Sequence, residues 1–399
     1  MNKKEVKKAP ALRFKGFTND WEQRKLGYEV NFYSGLTYHP DDIRNSGVFV
    51  IRSSNIKNNR LISADNVFVN PQIVNSKPVH INDIVVVVRN GSRKLIGKHV
   101  LIQHELHDTV IGAFMTGIRS SNNFFINATL DSQLFKKEIQ KNLGSTINQI
   151  TVKNFQNMVF GFPSKIEKDK IGKLFRIIDN IISLQQRKLN DLSSMKSALL
   201  QNIFPNTQGI KKIKLSTQEW NLQKISSIFK ERNQRNKNGM LLSVSISKGV
   251  YPFSENDRKD NSSNDKSNYK EVKINDLAYN SMRMWQGAVG VSKYNGIVSP
   301  AYTVITPKKE ENPNFYYYYF KNKRMLFNFR QYSQGLTSDT WNLKFPLFEK
   351  ILIQVPSDKE EEQRISSLFK QLDKSIDLNK IHIEKLTSIK QFLLQNMFI

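Results

Sequence analysis

ALLQNIF at residues 198–204 and FLLQNMF at residues 392–398 are nearly the same heptapeptide, written 194 residues apart in a chain of 399. Laying residue n beside residue n + 194 carries the match backwards. Ile171, Phe175, Ile178, Ile182, Gln185, Leu189, Leu192, Lys196, Leu199 and Ile203 fall opposite Ile365, Phe369, Leu372, Ile376, Asn379, Ile383, Leu386, Lys390, Leu393 and Met397. The steps alternate four and three, which is the seam of a long helix laid against another with a repeat of ~3.5 residues. Both seams are apolar except at the same two rungs, Gln185/Asn379 and Lys196/Lys390. Interruptions shared at both places mark a duplicated chain.

The start of each helix is also written twice. Ser164-Lys-Ile-Glu167 and Ser357-Asp-Lys-Glu360 read as capping boxes, each directly behind a proline, Pro163 or Pro356. From cap to end each helix runs ~40 residues, or ~60 Å at ~1.5 Å per residue. Weaker matches precede them in order. Trp21-Glu-Gln-Arg-Lys-Leu26 resembles Trp220-Asn-Leu-Gln-Lys-Ile225, and Ile81-Asn-Asp-Ile84 resembles Ile274-Asn-Asp-Leu277. Val110-Ile-Gly-Ala-Phe114 then matches Val298-Ser-Pro-Ala-Tyr302, and Gly144-Ser-Thr-Ile147 matches Gly335-Leu-Thr-Ser338.

These matches divide the chain into a first domain at 1–162, a first long helix at 163–204, a linker at 205–215, a second domain at 216–355 and a second long helix at 356–399. Runs such as VFVIRSSNI, DIVVVV, LLSVSI and ILIQV read as strands, and Leu134 to Lys141 and Phe315 to Asn322 as short helices. SENDRKDNSSNDKSNYKE, from Ser254, reads as a polar loop. The expected fold class is α+β: two similar α/β domains separated by two long antiparallel helices, with internal pseudo-two-fold symmetry.

Composition narrows the partners. Lys and Arg number 61 against 35 Asp and Glu, a net charge of +26 that points to a polyanion, nucleic acid first. The absence of cysteine excludes disulfides and thiolate metal sites. No apolar run of ~18 residues is present, so a soluble cytoplasmic chain with no membrane partner is expected. Catalytic motifs are missing too. Asn312-Pro-Asn-Phe315 is similar to the Asn-Pro-Pro-aromatic signature of adenine methyltransferases, but it lacks the second proline and no Gly-rich cofactor loop precedes it. Glu271-Val-Lys273 and Asp257-Arg-Lys259 are tripeptides common in basic sequences, and His99, His104 and His107 form no metal motif. A self-sufficient DNA adenine methyltransferase or nuclease is the alternative these fragments leave open.

Two unlike domains, each followed by a like helix ending in LLQN-[IM]-F, with the opening FKGFTNDWEQRKLG, resemble the specificity subunit of type I restriction-modification enzymes over essentially the whole chain. The resemblance implies two target-recognition domains, each binding one half of a split DNA sequence, and a coiled-coil ruler between them. It implies that double-stranded DNA and the modification subunits, two of them, and restriction subunits are the partners. The chain is then non-catalytic and carries no cofactor, with S-adenosylmethionine, ATP and magnesium on the partner subunits.

Arg and Lys read guanine edges, Asn and Gln read adenine, and hydroxyls serve phosphates. The candidates for DNA contact are therefore polar residues near glycines behind predicted strands. In the first domain these are Arg52, Ser54, Asn55, Arg89, Asn90, Ser92, Arg93, Lys94, Ser145 and Thr146. The second offers Lys248, Arg283, Trp285, Gln286, Tyr294, Thr337 and Ser338. Trp21, Trp220 and Trp341 are expected in the core, as is the tyrosine run Tyr316 to Tyr319.

Overall fold

The structure, a computed structural model, describes residues 9–143, 148–205, 213, 218–256 and 265–399. Ser145, Thr146, Asp257-Arg-Lys259 and most of the linker lie outside the described residues. The chain divides into two compact units, Met1–Gln186 with Ile381–Ile399, and Arg187–Lys380. Both divisions fall inside the long helices, Lys165–Asn202 and Lys359–Asn396, which are 38 residues each. Each unit therefore owns the first half of one helix and the second half of the other.

The two helix starts differ from the paired capping boxes expected. Ser164 Oγ accepts from the Glu167 amide at 3.4 Å, but the Glu167 carboxylate takes the Arg13 guanidinium at 2.7 and 2.8 Å instead of turning back to the cap. In the second helix Asp358 replaces Ser357 as the cap, accepting from the Glu360 amide at 2.8 Å. Ser357 bonds the Glu219 carbonyl instead. The extra residue of the second copy is thus absorbed before the helix, and the helices open at Lys165 and Lys359 in the 194-residue register.

The domain cores are the same sheet built twice. In the first unit the antiparallel order is Asn31–Ser34, Met115–Arg119, Ile84–Val87, His99–Leu101. In the second it is Phe229–Glu231, Tyr302–Pro307, Leu277–Asn280, Val289–Val291. Ile84–Val87 is buried at every residue, so the run is β-branched throughout and has no polar face. A second antiparallel pair, Glu22–Lys25 with Val159–Phe162 or Trp220–Lys224 with Leu352–Pro356, ties the start of each domain to the strand that leads into its helix.

The repeated Ile-Asn-Asp tells how the two cores diverged. Asn82 and Asn275 sit in the left-handed region at φ +68° and +71°, a conformation that asparagine tolerates, and turn the chain so that Asp83 and Asp276 are buried. Asp83 accepts from Arg119 at 2.9 Å through both oxygens and from the Tyr33 hydroxyl at 2.8 Å. Asp276 accepts from Arg232 at 2.6 and 3.1 Å and from the Thr306 hydroxyl at 2.9 Å. By sheet register Arg119 stands where Thr306 does, and Tyr33 where Arg232 does. The guanidinium and the hydroxyl have exchanged strands while the buried carboxylate keeps one of each, because an unpaired buried charge is the one arrangement that cannot persist.

Within each unit the helix halves run antiparallel. Phe175 packs on Phe398 at 5.7 Å and Asp179 meets Lys390 at 2.6 Å in the first unit. In the second, Phe204 stacks on Phe369 at 5.9 Å and Lys196 bonds Asp373. No seam position is exposed. The repeated ends close each unit in the same way: the Asn396 carbonyl accepts from the Leu12 amide at 2.8 Å, and the Asn202 carbonyl from the Ile213 amide at 2.9 Å.

The lysine rungs of the seam are docking points for the domains. Lys390 reaches both Asp179 of the first helix and Asp131 of the first domain at 2.6 Å, and His99 lies 3.1 Å from Asp131. Burial pushes Asp131 up, but His99 and Lys390 outweigh it and hold its carboxyl well below the usual range. In the second unit the same rung meets different chemistry, since the Tyr318 hydroxyl donates to Asp373 at 2.9 Å and, among the described residues, no domain carboxylate joins. Lys321 stands near that rung, its ammonium 5.0 Å from the Tyr317 ring and donating to the Ile246 carbonyl at 2.8 Å.

Burial, then the Lys196 charge, lowers Lys321 to about 8, with Asp373 opposing. Its unfolded value lies above its folded one, so the unfolded chain binds more protons between them. The penalty is fully present below pH 8 and is relieved as pH rises from about 8 towards the ordinary lysine value. Lys321→Met should remove this term. The expected result is a stability gain over the natural chain that is largest at pH 7 and shrinks by up to ~1.4 kcal/mol per pH unit above pH 8. Urea melts of both proteins from pH 7 to 9.5 check it, and a constant difference would contradict the assignment.

Candidate nucleic-acid interface

In the first unit, three loops converge at the ends of the central strands. Asn90 bonds the Ser53 hydroxyl at 3.0 Å, the Asn90 amide donates to the Asn148 carbonyl at 3.2 Å, and Asn148 bonds the Gly91 carbonyl at 2.9 Å. Arg89, Ser92, Arg93 and Lys94 are exposed on this framework, and Ser54 is half-buried beside it. The fold thus brings these candidate residues of the first domain together. Asn55 is a correction. It is fully buried, accepting from the Arg52 amide and donating to the Ala64 carbonyl and to Asn66, so its amide holds the loop and has no face left for a base. The Arg52 guanidinium is likewise engaged within the domain, donating to the Asp65 carbonyl at the surface.

Phe114 and Lys98 stand against the same cluster and are not among the residues that the sequence singles out. Phe114 is half-exposed beneath the Arg89 guanidinium, 5.0 Å from its ring. Lys98 donates to the Ser53 carbonyl at 3.1 Å and, with Arg93, Lys94 and Lys136, rims a cleft of about 610 Å³ floored by Phe135 and Ile139. Burial lowers the Lys98 ammonium below its ordinary value. Phe114 carried a signal in the Val110 to Phe114 repeat, where an aromatic recurs as Tyr302; Lys98 carried none.

The second unit gathers a different set. Leu343 donates to the Ser281 carbonyl at 2.8 Å, which brings the turn bearing Arg283, Trp285 and Gln286 against the loop bearing Thr337 and Ser338. Trp285 meets Trp341 edge to face at 5.2 Å, and the Arg330 guanidinium lies 5.0 Å from the Trp341 ring. Trp341 is thus half-buried here and not in the core, where Trp21 and Trp220 are buried as expected. The structure does not bring Lys248 and Tyr294 into this cluster. Lys248 donates to the Glu255 carbonyl at 3.3 Å, and Tyr294 packs on the small core containing Val244 and Val298.

Asn312-Pro-Asn-Phe315 is a helix start. The Asn312 carbonyl oxygen of the side chain accepts from the amides of Asn314 and Phe315, and its amide donates to Gln363 and Ser366 at 3.0 Å. Tyr316, Tyr318 and Tyr319 of the run that follows are buried. Among the described residues no group of His, Asp and Glu has the arrangement of a metal site, and no helix is long and apolar enough to cross a membrane.

A duplicated domain with a basic, loop-built face and a shared pair of long helices defines a class of two-domain recognition protein. The chain belongs to the type I restriction modification DNA specificity domain family, whose model matches it twice, at residues 18–194 and 217–388. It is similar to the type I restriction enzyme StySPI specificity subunit of Salmonella potsdam, 24% identical over 193 residues, which is 45% of this chain. That match spans 42% of the relative's length. Its fold is similar to the type I restriction-modification S subunit from M. genitalium, with a TM-score of 0.63 at 15% identity over 98% of this chain and 99% of that one.

Proposed function

We propose that this chain is the DNA specificity subunit of a type I restriction-modification system, each unit reading one half of an asymmetric, split DNA target. The observation that carries the reading is one sheet and helix frame built twice, with unlike side chains in the two loop clusters: Arg89, Arg93 and Phe114 in one, Arg283, Trp285 and Arg330 in the other. A repeated frame suits two separated half-sites, and unlike loops suit unlike bases. The chain itself does no chemistry. Methylation with S-adenosylmethionine and ATP- and magnesium-dependent cleavage belong to modification and restriction subunits in the cytoplasm.

Two modification subunits fit the helix surfaces. Leu184 and Leu378, 194 residues apart, are 65% and 47% exposed, and Met195 and Ile389, also 194 apart, are 46% and 51% exposed. Large apolar side chains exposed at duplicated positions support two like partners. The test is methylome sequencing of cells carrying this chain with its modification subunit, which should return one asymmetric split motif. Methyl transfer to DNA by the purified chain alone would count against the non-catalytic reading.

Half-site independence is a sharper expectation. Arg89→Ala with Arg93→Ala should weaken discrimination in one half-site by about 10-fold or more while leaving the other unchanged. Trp285→Ala with Arg330→Ala should do the reverse. Competition binding with duplexes altered in one half at a time decides it, and equal losses in both halves would defeat the assignment.

A further inference from the structure

Leu336 is 102% exposed, whereas no other exposed large apolar side chain described exceeds 78%. A single exposed leucine is ordinary on a loop that has nothing to hold it. This loop is held. Gln334 and Asn342 close its neck with two backbone bonds of 3.0 and 2.7 Å, and the Thr337 carbonyl accepts from the amides of Thr340 and Trp341 at 3.0 and 3.1 Å. Gly335 precedes the leucine at φ +144°, and a Cβ there would stand 2.6 Å from the Thr340 carbonyl oxygen. The backbone is therefore fixed so that the side chain at 336 projects into solvent, beside the Trp285, Trp341 and Arg330 cluster.

We propose that Leu336 is a base-reading residue that makes apolar contact with the 5-methyl group of a thymine in the major groove of the second half-site. The inference rests on the function proposed above. Duplex DNA is the occupant because the same loop carries the hydroxyls of Thr337 and Ser338 and meets the Arg330 guanidinium through Trp341, and the chain carries +26. The thymine methyl is the apolar feature that the major groove offers, and it separates thymine from cytosine. Wedging between base pairs is the competing use. It requires unstacking, at a cost of a few kcal/mol per step, and nothing packs behind Leu336 to brace it. In the repeat alignment the first domain has Ser145 at this place, so the contact is confined to one half-site.

The test uses the full chain assembled with its modification subunit and a duplex bearing the motif found by methylome sequencing. Each thymine of the second half-site is replaced singly by deoxyuridine, which removes only the methyl group. The natural chain should lose about fourfold in affinity at one such position, as burial of one methyl implies. L336S, which removes no packing, should be insensitive at that position and unchanged towards the first half-site. The proposal is overturned by a second half-site without thymine on either strand, by equal uracil sensitivity in L336S, or by 2-aminopurine fluorescence that reports unstacking dependent on Leu336. Failure of the natural chain to prefer the motif duplex over random DNA would instead overturn the function on which the inference rests.

Discussion

Lys390→Met is expected to destabilise the first unit by about 3 kcal/mol or more, while Lys196→Met at the equivalent rung costs about 1 kcal/mol. The side chains of Lys390, Asp131 and Asp179 are 14%, 8% and 28% exposed, and losing the ammonium leaves two carboxylates facing each other, one of them largely buried in the first domain. Asp179 is already pushed up by burial, with Lys390 the larger of the two opposing influences and His99 the smaller. Lys196 and Asp373 are 22% and 32% exposed, so water compensates much of what the second substitution removes. Urea denaturation gives the totals, and peptide-resolved hydrogen exchange should place the first loss in residues 123–131 and 381–396. Adding Asp131→Asn to Lys390→Met should recover part of it; equal costs for the two lysines would refute the account.

That asymmetry also shows what was legible before the structure. The duplication, the seam and the helix ends could be read because a helix writes its contacts at fixed spacing along its own sequence. Lys196 and Lys390 could be read only as interruptions, because Asp131 approaches from 259 residues away. A clue was present in Asp179 and Asp373, acidic residues repeated at the same offset just outside the seam. The sheet order was not legible, since strands of three to six residues buried on both faces carry no alternation. Among the candidate residues Arg89, Ser92, Arg93 and Lys94 share one exposed face, as their residue types suggest, whereas residue type misleads at Asn55, which is buried, and at Trp341, which is not in the core. An asparagine reads as a base contact and a tryptophan as core until the distant partners, Ala64 and Asn66 or Trp285 and Arg330, are in place.

The chain passes between its units at Gln186/Arg187 and at Lys380/Ile381, and both places lie within the long helices. On the proposed reading, helix length there sets the distance between half-sites, so paired insertions at these two places should change the gap and nothing else. Four residues add ~6 Å and rotate the continuing helix by ~40° beyond a full turn, close enough to keep the seam facing inward. Along duplex DNA ~6 Å corresponds to about two base pairs at ~3.4 Å each. Seven residues add ~10 Å, about three base pairs, with a rotation of only ~20°. Two residues rotate the seam by ~200° and should abolish assembly with the modification subunit instead of shifting the gap. Methylome sequencing of cells carrying each variant reads both half-sites and the gap together. Unaltered half-sites with gaps longer by about two and three base pairs are expected, and a changed half-site in either variant would mean that the helices shape recognition as well as spacing.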